Sequence, residues 1–297
     1  MNGPVFPSNP AIGDRFMNWA WNGARWVCNP MAGVQVIQTV FTASGPYQPA
    51  PGLVSVVVEC IGPGGGGGPG QSDLANTTTS GWMMAGGGGS SGGYSKSALA
   101  ASLVLGGVQV TIGAPGVGGL SATASPGTAG GAVTFGALVT ANGGLGGGAG
   151  VPGYQFGDAA PRTQPGTGQI ASTGNGGATG VGYYYDTAAI AGMAIGGHGG
   201  GGFFGGADGN VSVTAGLGAN GNDGWQGAGG GGGASGLVGV TANGGAGGAG
   251  LCIVTEYCWM DTADEDCGCP PTTTGQARVA RYSQGGQWHG GPGGFDD

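Results

Sequence analysis

The chain has 297 residues, of which 80 are Gly and 17 are Pro, about a third of the total where an ordinary domain has roughly an eighth, and that composition excludes an average enzyme domain. Six basic against 14 acidic residues leave a net charge of −8, and between Arg25 and Arg278 only Lys96 and Arg162 are basic; no basic stripe exists to neutralise phosphates, which argues against nucleic acid as a partner. With 39% hydrophobic residues the chain is too apolar for a solvated disordered tail, and its glycines cluster, as at 64–68 and 229–233, without the strict third-residue period of collagen.

Residues 1–36 have ordinary composition and carry Trp19, Trp21 and Trp26. Phe16, Trp19, Trp21, Trp26 and Val27 flank Asn22-Gly23, a pair favoured in two-residue hairpin turns because both positions tolerate positive φ. A small β-unit with its turn at Asn22-Gly23 is expected. The opening MNGPVFPSNP lacks the basic start and apolar run of a signal peptide, and no run of about 20 apolar residues is present to span a bilayer.

Residues 37–257 form a glycine-rich body. Val54 to Ile61 and Leu251 to Tyr257 are β-branched, apolar and bounded by Gly or Pro, so they read as strands that pair and close the body. Between them lie shorter Val/Thr/Ala strands at Val108 to Ile112, Val133 to Thr140, Val211 to Ala215 and Leu237 to Ala242. LVTANGGLGGGAG (138–150) recurs as VGVTANGGAGGAG (238–250), an echo that reads as two equivalent layers. Five runs of three or more glycines stand at 64–68, 86–89, 146–148, 199–202 and 229–233. Alone, each run is a flexible linker. Packed together, such segments adopt the extended three-residue-per-turn helix of polyproline-II type and approach closely enough to hydrogen-bond to one another. The expected fold is therefore all-β and irregular, fibrous, with little α-helix: the small N-terminal β-unit, then short strands and packed polyglycine-II-type segments.

Residues 258–297 hold an acidic cluster (Asp261, Asp264, Glu265, Asp266) and Cys267-Gly268-Cys269-Pro270-Pro271, and read as an extended tail. The six cysteines, Cys28, Cys60, Cys252, Cys258, Cys267 and Cys269, are either disulfide-bonded within or between chains or reduced and partly buried. The Cys-Gly-Cys-Pro-Pro turn favours links between chains over a bridge between its own sulfurs. Because the apolar residues are mostly Ala and Val, a single-chain core is thin, and a homo-oligomer is expected. A trimer is favoured because three chains about one axis bury thin β-segments against each other.

No site chemistry stands out. GGGGGPGQS at 64–72 lacks the Lys of a phosphate-binding loop, and no helix follows to support a dinucleotide fingerprint. His198 and His289 are the only histidines, and His198 reads as a side chain projecting from a glycine helix. The carboxylates are sparse outside the tail, against glycan cleavage. Cys258, Cys267 and Cys269 match no zinc spacing and have no nearby His. The expectation is a protein without enzymatic activity, cofactor or metal.

VVVECIGPGGGGGPG, AGGGGSSGGYSKSALA, VQVTIGAPGVGG and GGAGGAGLCIVTEY resemble the glycine-rich domain of bacteriophage tail fibres, adhesins and other virion appendages. FTASGPYQPAPGLVSVVVECIG is similar to the strand that opens that domain, and PSNPAIGDRFMNWAWNGARWVCNP resembles a Trp-containing β-segment of phage fibres. The resemblance implies a virion appendage, often trimeric, assembled with other virion proteins and in some members contacting the host surface through loops at the distal tip. Carried onto this chain, Trp19, Trp21 and Trp26 are candidates for virion attachment. Trp82, Tyr154, Phe156, Tyr183, Tyr184, Tyr185, Phe203, Phe204 and Trp225, in or beside the longer insertions, are candidates for contact with a bacterial surface glycan or outer-membrane protein, since aromatic rings offer contact area at low entropy cost. Tyr183 to Tyr185 and Phe203-Phe204 serve equally well as gap-fillers between layers. A purely structural capsid, collar or baseplate fibre and a glycan depolymerase are the alternative readings.

Overall fold

The computed structural model describes residues 34–71, 80–150, 156–186, 193–203, 218–236 and 240–259, together with the backbone of short strands at 15–16, 19–21, 26–28, 212–214 and 278–282; at 80–82 and 183–186 it likewise describes the backbone alone. The described residues are nearly all β or extended, and their only helices are two 3-10 turns, Ala101–Leu103 and Ser121–Thr123. The all-β, irregular class expected from the sequence is the fold observed.

In the N-terminal part, β1 (Arg15–Phe16), β2 (Trp19–Trp21) and β3 (Trp26–Cys28) make an antiparallel meander. Trp21 pairs with Trp26, so residues 22–25 lie between the strands. The hairpin is present with four residues between its paired ends, and the Asn22-Gly23 turn expected there lies outside the described residues.

The body begins in a six-stranded antiparallel sheet. It is built from β4 (Val34–Phe41), β6 (Leu53–Ile61), β8 (Tyr94–Ala100), β13 (Ile170–Ser172), β17 (Leu251–Trp259) and β18 (Arg278–Tyr282), in the order β13-β8-β6-β17-β4-β18. The two strands expected to close the body are its centre, paired in register from Leu251 with Ile61 to Tyr257 with Ser55. Their period-two alternation turns Val56, Val58, Cys60, Cys252 and Val254 to one buried face. That face packs on a four-stranded sheet, β11-β10-β9-β5, made from β5 (Gly45–Tyr47), β9 (Val108–Thr111), β10 (Val133–Phe135) and β11 (Val139–Ala141). Val110, Val133, Phe135 and Val139 complete the core. The stretch expected as one strand from Val133 to Thr140 is two, because Gly136 has φ +52° and turns β10 back to pair with β11.

Beyond the sheet the central strands continue as polyglycine-type helices. β6 runs into 62–70, residues 84–93 run into β8, and 240–250 run into β17. The 62–70 helix, roughly 25–30 Å long at about 3.1 Å per residue, sends its main-chain groups outward with a period of three. Gly64, Gly67 and Gly70 donate to Gly248, Gly245 and Ala242; Gly62, Gly65 and Gly68 donate to Gly93, Ser90 and Gly87; Gly66 donates to Thr128. Its carbonyls at Pro63, Gly66 and Pro69 accept from Gly144, Gly147 and Gly150, those at Gly64 and Gly67 from Gly116 and Gly119, and those at Gly65 and Gly68 from Gly230 and Gly233. Six segments thus surround one helix, and Pro63 and Pro69, which have no N–H, serve as acceptors only.

Segment 86–93 has the same environment. Its amides donate to 227–233, to 142–148 and to 175–178, while its carbonyls accept from 62–68, Ala160 and 197–200. Ordering a residue costs about 1–2 kcal/mol and one main-chain bond returns roughly 0.5–1.5 kcal/mol. No single glycine helix is stable by itself; close mutual packing supplies the remaining contacts.

The echo at 138–150 and 238–250 is not a pair of equivalent layers. Segment 142–150 runs parallel to the 62–70 helix, and 242–248 runs antiparallel to it. The described part of the strand expected at Leu237 to Ala242 belongs to this second segment, with Ala242 bridging Gly70.

At the other end of the lattice the helices become strands again. β7 (Ser80–Met83), β12 (Phe156–Gly157), β14 (Gly180–Asp186), β15 (Met193–Ile195) and β16 (Ser212–Thr214) form a five-stranded sheet. β7 leads into 84–93, 174–178 leads into β14, and β15 leads into 196–201. The lattice is therefore held between two sheets.

Candidate functional site

The contact candidates separate into two groups, one at each end of the lattice. At the five-stranded end, β14 carries Tyr183, Tyr184 and Tyr185 in register with Met83, Trp82 and Gly81 of β7. Phe156, on β12, pairs with Val181 of the same β14 and is 54% exposed. Two segments far apart in sequence, β7 and β12, thus meet on β14. At the six-stranded end, Phe203 (56% exposed) follows segment 197–200 and Trp225 (62% exposed) precedes segment 229–232, which adjoins it antiparallel. Tyr154 and Phe204 lie outside the described residues, as do the side chains of Trp19, Trp21, Trp26, Trp82 and Tyr183 to Tyr185.

Phe203 stacks face to face on Tyr94, ring centroids 4.0 Å apart at 4°. The Tyr94 hydroxyl donates to Glu59 Oε2 at 2.7 Å, and Lys96 Nζ lies 2.9 Å from Glu59 Oε1. β6 and β8 put these groups together, pairing Glu59 with Lys96 and Ile61 with Tyr94. Partial burial pushes the Glu59 carboxyl up, but the hydrogen bonds from Tyr94 and Lys96 and the lysine's charge outweigh it, and the net shift is downward. The Tyr94 phenol is shifted upward, by desolvation first and by its bond to Glu59 second. A carboxylate held ionised and a phenol held protonated form a static bridge with no proton to exchange near neutral pH.

On the opposite face of the sheet, buried Glu256 accepts at Oε1 from the Tyr47 hydroxyl and from Ala50 N–H, both at 2.8 Å. Tyr47 is itself buried, its ring 5.2 Å from that of Phe135. Burial and the Glu256 bond drive its phenol upward. This pair ties the turn after β5 to β17.

Neither carboxylate cluster was among the candidates from sequence. The available signals were an acid inside each apolar strand, Glu59 in VVVECI and Glu256 in IVTEY, and the isolated Lys96. The partners, Tyr47 for Glu256 and Tyr94 and Lys96 for Glu59, come from other strands.

His198 projects to solvent from a lattice helix while its carbonyl accepts from Ala178 N–H at 2.8 Å, as expected. Cys60, Cys252 and Cys258 are free, buried thiols. A buried sulfur cannot reach a neighbouring chain, so the expected links between chains do not apply to these three. Burial first, then the charge of Glu256, pushes the Cys258 thiol up to about 11. Cys28, Cys267 and Cys269 have no described side chains. Among the described residues no group of three or more His, Cys, Asp or Glu is placed to hold a metal ion.

No curated protein sequence matches the chain. The family model described as "Glycine-rich domain" matches residues 42–257, a span that starts next to the end of β4 and includes the whole lattice and most of β17. With the greater part of its length matched, the chain belongs to the glycine-rich domain family.

Proposed function

We propose that the chain is a structural virion fibre protein of a bacteriophage, tail-associated, without enzymatic activity, and contributing to attachment to the host surface. The observation that supports this reading best is the mounting of aromatic groups at both ends of a glycine lattice whose interior is main chain. Such a lattice needs little oily core of its own, resists bending because its central helices are bonded on several sides, and leaves its end segments free to vary. Residues 1–36 join it to other virion proteins, and the chain acts as a homotrimer, so that several weak contacts with a surface glycan or outer-membrane protein add by raising the effective concentration of each next contact. The reading is tested by adding purified protein to host cells before phage. Competition for adsorption is the expected result, and undiminished adsorption at saturating protein rejects the attachment role.

One observation favours a purely structural fibre of capsid, collar or baseplate. Phe203, a contact candidate, already spends one face on Tyr94. Labelling the protein in intact particles separates the two readings, since attachment requires a distal tail position. Release of oligosaccharide from host polysaccharide would instead make the protein a depolymerase.

A further inference from the structure

Cys60 and Cys252 stand directly opposite each other on the two central strands, β6 and β17. Both are fully buried, and their Sγ atoms are 3.5 Å apart, in the reduced state. Directly opposed residues of antiparallel strands have Cα atoms about 4.5–5.5 Å apart, inside the roughly 4.4–6.8 Å range that a disulfide spans. Bond formation requires only that the sulfurs close to about 2.05 Å. Cys258, on the same face, is opposite Leu53 and Gln35, so no cysteine stands across from it in the sheet.

We propose that Cys60 and Cys252 are an oxidation site that closes into an intrachain disulfide, stapling the strand that enters the glycine lattice to the strand that leaves it. A small-molecule disulfide such as oxidised glutathione is the oxidant. One cysteine, as thiolate, attacks it and forms a mixed disulfide, releasing the first glutathione thiolate. The second cysteine then attacks the protein-side sulfur and releases the other glutathione. Two protein thiols are oxidised, one disulfide is reduced, and the two protons end on two glutathione thiols.

The position gives the bond its consequence. Every helix of the lattice lies between residues 60 and 252, so the staple closes the longest loop of the body and restricts the unfolded chain most strongly. The hydrogen bond with Cys60 and burial hold the Cys252 thiol protonated, and burial shields both sulfurs from reagents once the lattice has closed. The bond therefore forms during folding and is afterwards shielded from reductant.

The experiment denatures and reduces the full chain, refolds it with a mixture of reduced and oxidised glutathione, blocks free thiols with iodoacetamide and maps peptides without reduction. A peptide joining Cys60 to Cys252 with Cys258 alkylated is expected, together with a higher urea midpoint than that of the same chain refolded in a phosphine reductant. Folded product with both Cys60 and Cys252 alkylated, with either joined to another cysteine, or with the same midpoint in both buffers overturns the proposal. The double variant Cys60→Ala, Cys252→Ala is expected to show equal midpoints in the two buffers, and a buffer-dependent midpoint there assigns the effect to other cysteines and also overturns it. Should that variant not fold, the peptide map of the unaltered chain decides.

Discussion

A methyl group tests the lattice at single positions. On Gly88 an added Cβ would overlap the carbonyl of His198 and the amide of Gly199, all backbone that cannot rotate away. Gly88→Ala should lower the free energy of unfolding by about 3 kcal/mol, the upper end of the overpacking range. Gly106, in the turn before β9, has open space around its would-be Cβ and no positive φ. Gly106→Ala should be neutral or stabilising by up to about 1 kcal/mol, through the unfolded chain. Urea titration of both variants separates a packing role for glycine from a merely flexible one. The serines that interrupt the second glycine run supply a different test. Ser90 Oγ accepts from Leu145 N–H at 2.7 Å, and Ser91 Oγ accepts from Asn175 N–H at 2.8 Å, hydroxyls standing in for lattice carbonyls. Ser90→Ala keeps the volume but strands the Leu145 amide, and should cost roughly 1–3 kcal/mol in the same titration.

At the scale of elements, β6 couples the sheet to pH. Glu59, with its carboxyl below the ordinary 4.5, adds stability that is complete above the unfolded value and is lost as pH falls through the folded one. Glu59→Gln should therefore lose less stability than the parent between pH 6 and pH 3. Tyr47 and Tyr94 act at the other limb. Their folded values lie above the 10.0 of the free phenol, so their contribution is complete below pH 10 and disappears as pH rises toward those values. Phenolate absorbance at pH 10.5–11 should show these two of the eight tyrosines silent until the protein unfolds, and full titration of all eight in the folded state would contradict the buried bridges. Strands β6 and β17 were legible because a β-branched run bounded by Gly and Pro has few other solutions. The fold of Val133 to Thr140 was not, since the positive φ of Gly136 is set by what β10 packs against. The Glu59–Lys96 bridge spans two strands whose register only the folded sheet defines. The grouping of Phe156, Trp82 and Tyr183 to Tyr185 was hidden for the same reason: each was read as a separate insertion, and β14 is where they meet.

For the molecule as a whole, the lattice changes the reason for expecting an oligomer. The thin Ala/Val composition pointed to burial between chains, yet the 62–70 helix is surrounded by six segments of its own chain. Proposed trimer formation then rests on surface features such as the exposed strand β13 and exposed Leu103 and Leu105. Sedimentation is expected to give three times the 28.0 kDa chain mass, and a folded species at one chain mass would remove the trimer while leaving the lattice intact. The lattice itself predicts a cooperative unit. Removing any one helix strips donors or acceptors from several others, so no run can open without uncovering its neighbours. In hydrogen exchange, amides of Gly65, Gly88 and Gly230, which donate to Ser90, Ala178 and Gly65 respectively, should share one opening free energy equal to that of global unfolding. For a stability of about 5–15 kcal/mol this means protection of at least roughly a thousandfold. Exchange within seconds at these glycines, or a separate free energy for each run, would mean that the runs behave as independent linkers and that main-chain bonding does not hold the lattice together.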